Sequence, residues 1–118
     1  MIKKFRTFNS GLAEVALSTK ESTSFKATTN PTSREDFDIK FDICYEQMSK
    51  REQDVEMIEA LGRKLSIKIK TPYCELVESR MNLIINNMLY DIVYIDDSKE
   101  TDELYIYLEE VRELARKQ

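Results

Sequence analysis

The chain has no histidine, and only two glycines, two prolines and two cysteines among its 118 residues. Each shortage removes a class of chemistry. Without imidazole, the commonest proton shuttle near neutral pH is missing, and no serine or cysteine triad of the usual kind can be assembled. Gly11 and Gly62 are too few for a loop that cradles phosphate through its backbone. Cys44 and Cys74, with no histidine beside them, do not make a four-ligand zinc site unless chains share ligands. They read as a reduced, half-buried pair, and their spacing does not show whether they form a disulfide. Hydrophobic runs are short as well. None has the length needed to cross a bilayer, and Met1-Ile2-Lys3-Lys4 is not followed by the apolar stretch of a secretory signal. Synthesis and folding in a cytosol are expected.

What is present fits one globular domain, residues 1–118, long enough for a single core. The net charge of -4 is unevenly spread. Residues 1–34 carry six basic and two acidic side chains, whereas residues 35–118 carry twelve and twenty. A basic leading segment on an acidic body favours head-to-tail association of copies; simple solubility is the plainer reading. It is not the sustained basic face that duplex binding requires.

The most informative passage runs from Lys64 to Glu110, a β-rich stretch broken by Asn86-Asn87. Ahead of it, segments 3–8 and 12–17 flank the turn material Asn9-Ser10-Gly11, as an opening hairpin or an extended arm. Residues 18–34 are rich in serine and threonine and interrupted by Asn30-Pro31, which predicts a long flexible polar loop. Such a loop is either an arm that orders against a partner or a tolerated insertion. Residues 37–45 alternate, with Phe37, Ile39, Phe41, Ile43 and Tyr45 on one face, and predict a half-buried strand.

Ser49 and Glu52 have capping-box spacing, and Val55, Ile58 and Leu61 form an apolar stripe that ends before Gly62. A short helix over 50–61 follows, expected to plug or cross over one open end of the sheet. Leu65, Ile67 and Ile69 alternate with Ser66, Lys68 and Lys70 in a half-solvated strand that Pro72 ends. Leu83–Ile85 and Met88–Ile95 flank a two-residue Asn86-Asn87 turn, and the return strand is apolar on both faces, which fits a central strand or one packed against a neighbouring subunit. Residues 103–109 read as a strand, and Glu110–Lys117 as a short terminal helix. The fold class is mainly β: a small curled antiparallel sheet or β-barrel with a short helix and a long polar loop.

Asp96, Asp97, Asp102 and Glu103 cluster near a polar turn, but without the ordered spacing of a calcium loop. A solvated hairpin end accounts for them. Tyr90, Tyr94, Tyr105 and Tyr107 are candidates for stacking single-stranded bases. The acids around them would repel a polyanion, so packing against the core or between subunits is the better account. No catalytic, cofactor-binding or metal residue is assigned, and no cofactor.

In this order of elements the chain resembles the phage head–tail joining family, the head-closure or stopper proteins of long-tailed phages. FDICYEQM stands where the family has an early barrel strand, and REQDVEMIEALG, residues 51–62, resembles its crossing helix. LSIKIKTPY matches the next strand. NLIINNMLYDIVYIDD is the most specific piece, with its tight turn, the Tyr90-Asp91-Ile92 step and the acidic end at Asp96-Asp97; LYIYLEEV resembles the closing strand. The likeness covers about two thirds of the chain. The tryptophan that many relatives carry in the early strand is absent, with Phe41 or Tyr45 as substitutes.

The resemblance implies a non-enzymatic structural subunit of the virion neck, made in the host cytoplasm. It implies a small β-barrel in a homo-oligomeric ring, commonly of twelve copies. The ring would sit between a portal-bound adaptor on the head side and a tail-completion or tail-terminator protein on the other. It would close the channel after packaging, with DNA passing the lumen without specific binding and loop 18–34 free in the monomer and ordered, or channel-facing, in the ring. Alternatives are a tail-side joining or adaptor subunit, and a small single-stranded nucleic acid binding barrel.

Overall fold

Among the described residues the period-two stretches become six antiparallel strands. The computed structural model describes residues 10–18, 37–98 and 100–114. The strands are β1 (Gly11–Ser18), β2 (Phe37–Met48), β3 (Ile67–Pro72), β4 (Asn82–Ile85), β5 (Met88–Ser98) and β6 (Glu103–Glu113), with one helix, α1 (Glu52–Ala60), between β2 and β3. Segment 3–8 and, after Ser18, the polar stretch to residue 34 lie outside the described residues.

Neighbours follow the order β1-β2-β3-β6-β5-β4, and β1 meets β4 to close the sheet into a barrel. That closure is short: Glu14, Val15 and Ala16 lie opposite Ile84, Leu83 and Asn82. Register shifts at Val15/Ala16, Leu89/Tyr90 and Ile92/Tyr94 mark bulges, which bend strands and so help a small sheet to curl shut. The Asn86-Asn87 turn has φ values of 50° and 67°. Two consecutive left-handed residues make the hairpin turn whose twist matches its strands, and asparagine tolerates that conformation better than most residues.

One parity of each strand fills the interior, where Val15, Ile43, Ile69, Leu83, Ile92 and Ile106 form a single cluster. The single face expected for residues 37–45 is split. Phe41, Ile43 and Tyr45 face the interior, but the bulge opposite Val15/Ala16 turns Ile39 and Phe37 to the other face, against Ala16, Ile84 and Leu89. β2 then runs on to Met48. β5 is indeed internal to the sheet, between β4 and β6.

Four further local expectations are corrected. First, α1 does not cross an open end. Its Val55 and Ile58 pack with Leu65 and with Val93, Tyr105 and Tyr107, whose parity on β5 and β6 is that of the outer wall. Both faces of these strands are apolar, so the outer face needs a cover. The barrel mouth is instead crossed by residues 73–81, which link the non-adjacent β3 and β4 and drop Val77 and Met81 into the interior cluster.

Second, the helix begins from Arg51 rather than Ser49, because Asp54 accepts the Arg51 backbone N–H at 3.1 Å. Third, Leu65 is not a strand residue: β3 starts at Ile67, and Leu65 packs under α1. Fourth, Glu110–Glu113 are strand, not helix. Met88 and Leu89 lie opposite Glu113 and Arg112, and Leu114 N–H donates to the Asn87 carbonyl at 2.8 Å. The ladder requirement of β5 outweighs helix propensity there.

At the far end of α1, Gly62 serves as the residue after the cap, with φ 78°. Its N–H donates to the Glu59 carbonyl at 2.9 Å, and Arg63 N–H to Ile58 at 3.2 Å, the paired bonds of a Schellman ending.

Candidate functional site

The densest polar constellation lies where α1 meets the outer wall. Asp54, on the first turn of α1, is only 3% exposed. Lys68, from the outer row of β3, is 6% exposed, not half-solvated as its strand pattern predicts, because α1 lies over that row. Tyr107 comes from the same row of β6, directly opposite Lys68.

The Asp54 carboxylate is saturated. Arg51 Nε donates to Oδ2 at 3.2 Å and Arg51 Nη2 to Oδ1 at 3.0 Å. Lys68 Nζ donates to Oδ2 at 3.0 Å, and the Tyr107 hydroxyl to Oδ1 at 3.2 Å. The Arg51 side-chain bonds hold this carboxyl well below the usual carboxylate range; burial opposes the shift, and Lys68 adds to it. Burial, with the Asp54 charge second, pushes the Tyr107 phenol up to about 12. Lys68 also lies 5.3 Å and 5.2 Å from the ring centroids of Tyr105 and Tyr107, within cation–π range.

Neither Asp54 nor Tyr107 can exchange a proton usefully near neutral pH. Among the described residues no buried side-chain polar atom lacks a partner. The constellation thus clamps the helix to the barrel and holds no idle reactive group. A shallow cleft of about 450 Å³ lies beside it, lined by Met48, Ser49, Arg51, Lys68, Asp96, Tyr105 and Tyr107.

Next to it, Arg63 follows the helix ending and pairs with Glu109 and with Asp91, the latter at 3.0 Å. The Glu109 bond raises its pKa. This second clasp fixes the chain between α1 and β3 to β5 and β6.

The four acids singled out in the sequence do sit at the β5–β6 hairpin end, but not alike. Asp96 and Asp97 are exposed, Asp102 turns the chain at φ 55°, and Glu103 is buried with Lys70 3.8 Å away. Among the described residues no three potential metal ligands come together. The four tyrosines do not form one platform. Tyr90 packs against the interior cluster, and burial raises its pKa. Tyr107 is buried and Tyr105 partly so; Tyr94 alone is exposed, at 41%, edge-on to Tyr107. Cys44 and Cys74 are free and half-buried.

Sequence reasoning missed the Asp54–Lys68–Tyr107 group. Its only local signal is the Arg51–Asp54 spacing at the start of the helix. No protein-family model matches the chain, and no curated protein matches it.

Proposed function

We propose that this chain is a ring-forming structural subunit of a phage neck, joining head to tail and closing the portal channel once DNA is packaged. The observation that carries the reading is the order of elements. A small closed sheet, one helix between β2 and β3, and the Asn86-Asn87 hairpin leading into Tyr90-Asp91-Ile92 follow the order in which the family-like segments occur. A saturated outer constellation and a rigid wall suit a part that bears load rather than one that turns over substrate. In this role twelve copies would surround the channel, held between the portal-bound adaptor and the tail-completion or terminator protein. Modest interfaces gain strength there by repetition and closure.

The acid excess of residues 35–118 suits a lumen that lets DNA slide without phosphate contacts. A single-strand binding barrel is the weaker reading. Of the four tyrosines it would use, Tyr90 and Tyr107 are committed to packing, and the exposed Tyr94 stands near Asp96.

The test is to mix the purified protein with the portal–adaptor complex of its own phage and image the product by electron microscopy. An added ring across the distal channel is the expected result. A chain that stays unbound would move the role to the tail side or to nucleic acid.

A further inference from the structure

We infer that the open edge of β5, Ile92–Ser98, takes the basic segment 2–8 of a second copy as an added strand. The edge arises from unequal strand lengths. β4 pairs with β5 only over Met88–Asp91, and Met81, just before β4, turns into the interior. Among the described residues, Ile92–Ser98 therefore has a ladder on the β6 side and none on the other. Such an edge presents a row of backbone donors and acceptors that a further strand can satisfy.

Charge selects the strand. Asp96 and Asp97 are exposed on this edge, Glu100 and Asp102 follow in the turn, and Tyr94 offers an exposed ring. Two such edges repel one another, which protects against indiscriminate pairing. A basic strand meets no such barrier. Residues 2–8 read Ile-Lys-Lys-Phe-Arg-Thr-Phe: three cations among β-branched and aromatic residues that favour strands.

Reach decides that the donor is another copy. Ser10 is pinned beside β2, its N–H donating to the Tyr45 carbonyl at 3.0 Å and its Oγ accepting from Gln47 N–H at 2.9 Å. Ala16 lies opposite Asn82, which lies opposite Asp91. The open edge therefore starts about six residues along from Ser10 and continues for about six more, roughly 40 Å in all at strand rise. Residues 1–9, fully extended, span only about 30 Å. They would be used up before pairing along their own edge. Among the described residues β2 has a second open edge, Phe37–Tyr45, which starts beside Ser10 and has Lys40 tied to Asp38, so neither reach nor charge singles it out. Donation to β5 is head to tail, a geometry that repeats around a ring when the rotation closes. It does not depend on the neck reading.

The test uses two full-length variants in sedimentation velocity at low salt. One reverses the arm (Lys3→Glu, Lys4→Glu, Arg6→Glu); the other reverses the edge (Asp96→Lys, Asp97→Lys). Wild type should associate, each variant alone at least tenfold more weakly, and an equimolar mixture should regain association, because each then offers what the other lacks. An arm variant that associates like wild type, a mixture no better than its parts, or a wild type monomeric throughout would overturn the inference. Hydrogen exchange on wild type checks it without mutation. Amides of 92–98 should slow as concentration rises, and no change there would also overturn it. Self-association of this kind without binding to a portal–adaptor complex would uphold the strand donation and retire the neck reading alone.

Discussion

Replacing Asp54 by alanine should be among the most damaging single changes to this protein. Its carboxylate receives the Arg51 backbone and guanidinium, the Lys68 ammonium and the Tyr107 hydroxyl. Removal leaves Lys68, with a side chain only 7% exposed, as a buried charge without its counter-ion. Breaking a buried pair from one side costs about 3–5 kcal/mol. For a chain of this length that corresponds to a melting temperature lower by roughly 10–20 °C.

Lys68→Met should cost less, about 1.5–3 kcal/mol, the size of one hydrogen bond to a charged group. Asp54 then keeps Arg51 and Tyr107, and methionine retains contact with the rings. The double variant buries no unpaired charge, so it should be more stable than the sum of the singles implies, by about 1–3 kcal/mol. Urea unfolding followed by far-ultraviolet circular dichroism measures all four corners of the cycle. Additivity within about 0.5 kcal/mol would refute the clamp, as would an Asp54→Ala loss under about 1 kcal/mol. The pH dependence gives the same test a sign. Because the Asp54 carboxyl is depressed in the folded state, its contribution is complete above the unfolded value near 4 and is lost as pH falls below it. Wild type should weaken over that acid range, and Asp54→Ala should weaken less.

Three further outcomes follow from the packing. Tyr107→Phe removes one hydrogen bond to Asp54 and should cost about 1 kcal/mol; ultraviolet titration of the wild type should show a phenol near 12 that the variant lacks. Gly62→Ala meets no steric obstacle, yet forces a side chain into φ 78°, so a loss of about 1–2 kcal/mol in urea unfolding should reflect backbone conformation alone. Ile106→Ala opens a cavity at a position with no exposure and should cost about 2–5 kcal/mol by the same assay, with the slope unchanged.

Period-two patterning carried most of the architecture. The Asn86-Asn87 turn and the two-faced apolarity of β5 each have a local cause, so each was legible before any coordinate; the face of Phe37 and Ile39 was not, because a bulge in the pairing with β1 turns them outward. The misplacements share another origin. α1 lies on the outer wall, Lys68 is buried and β6 runs through Glu110–Glu113 because of neighbours distant in sequence: Tyr107, α1 and Met88 respectively. A strand pattern shows that two faces differ, but not what covers the second face. The Asp54 constellation was hidden for the same reason, since its members lie 14 and 53 residues apart along the chain. The acidic hairpin end was visible as composition, whereas the open edge beside it depends on β4 being only four residues long.

The proposed closure of the portal channel is tested most directly on DNA-filled heads assembled with portal and adaptor but without this chain, exposed to nuclease and then probed for retained genome. Adding the purified protein first should protect the DNA. Loss of DNA at the same rate with and without the protein would contradict the account.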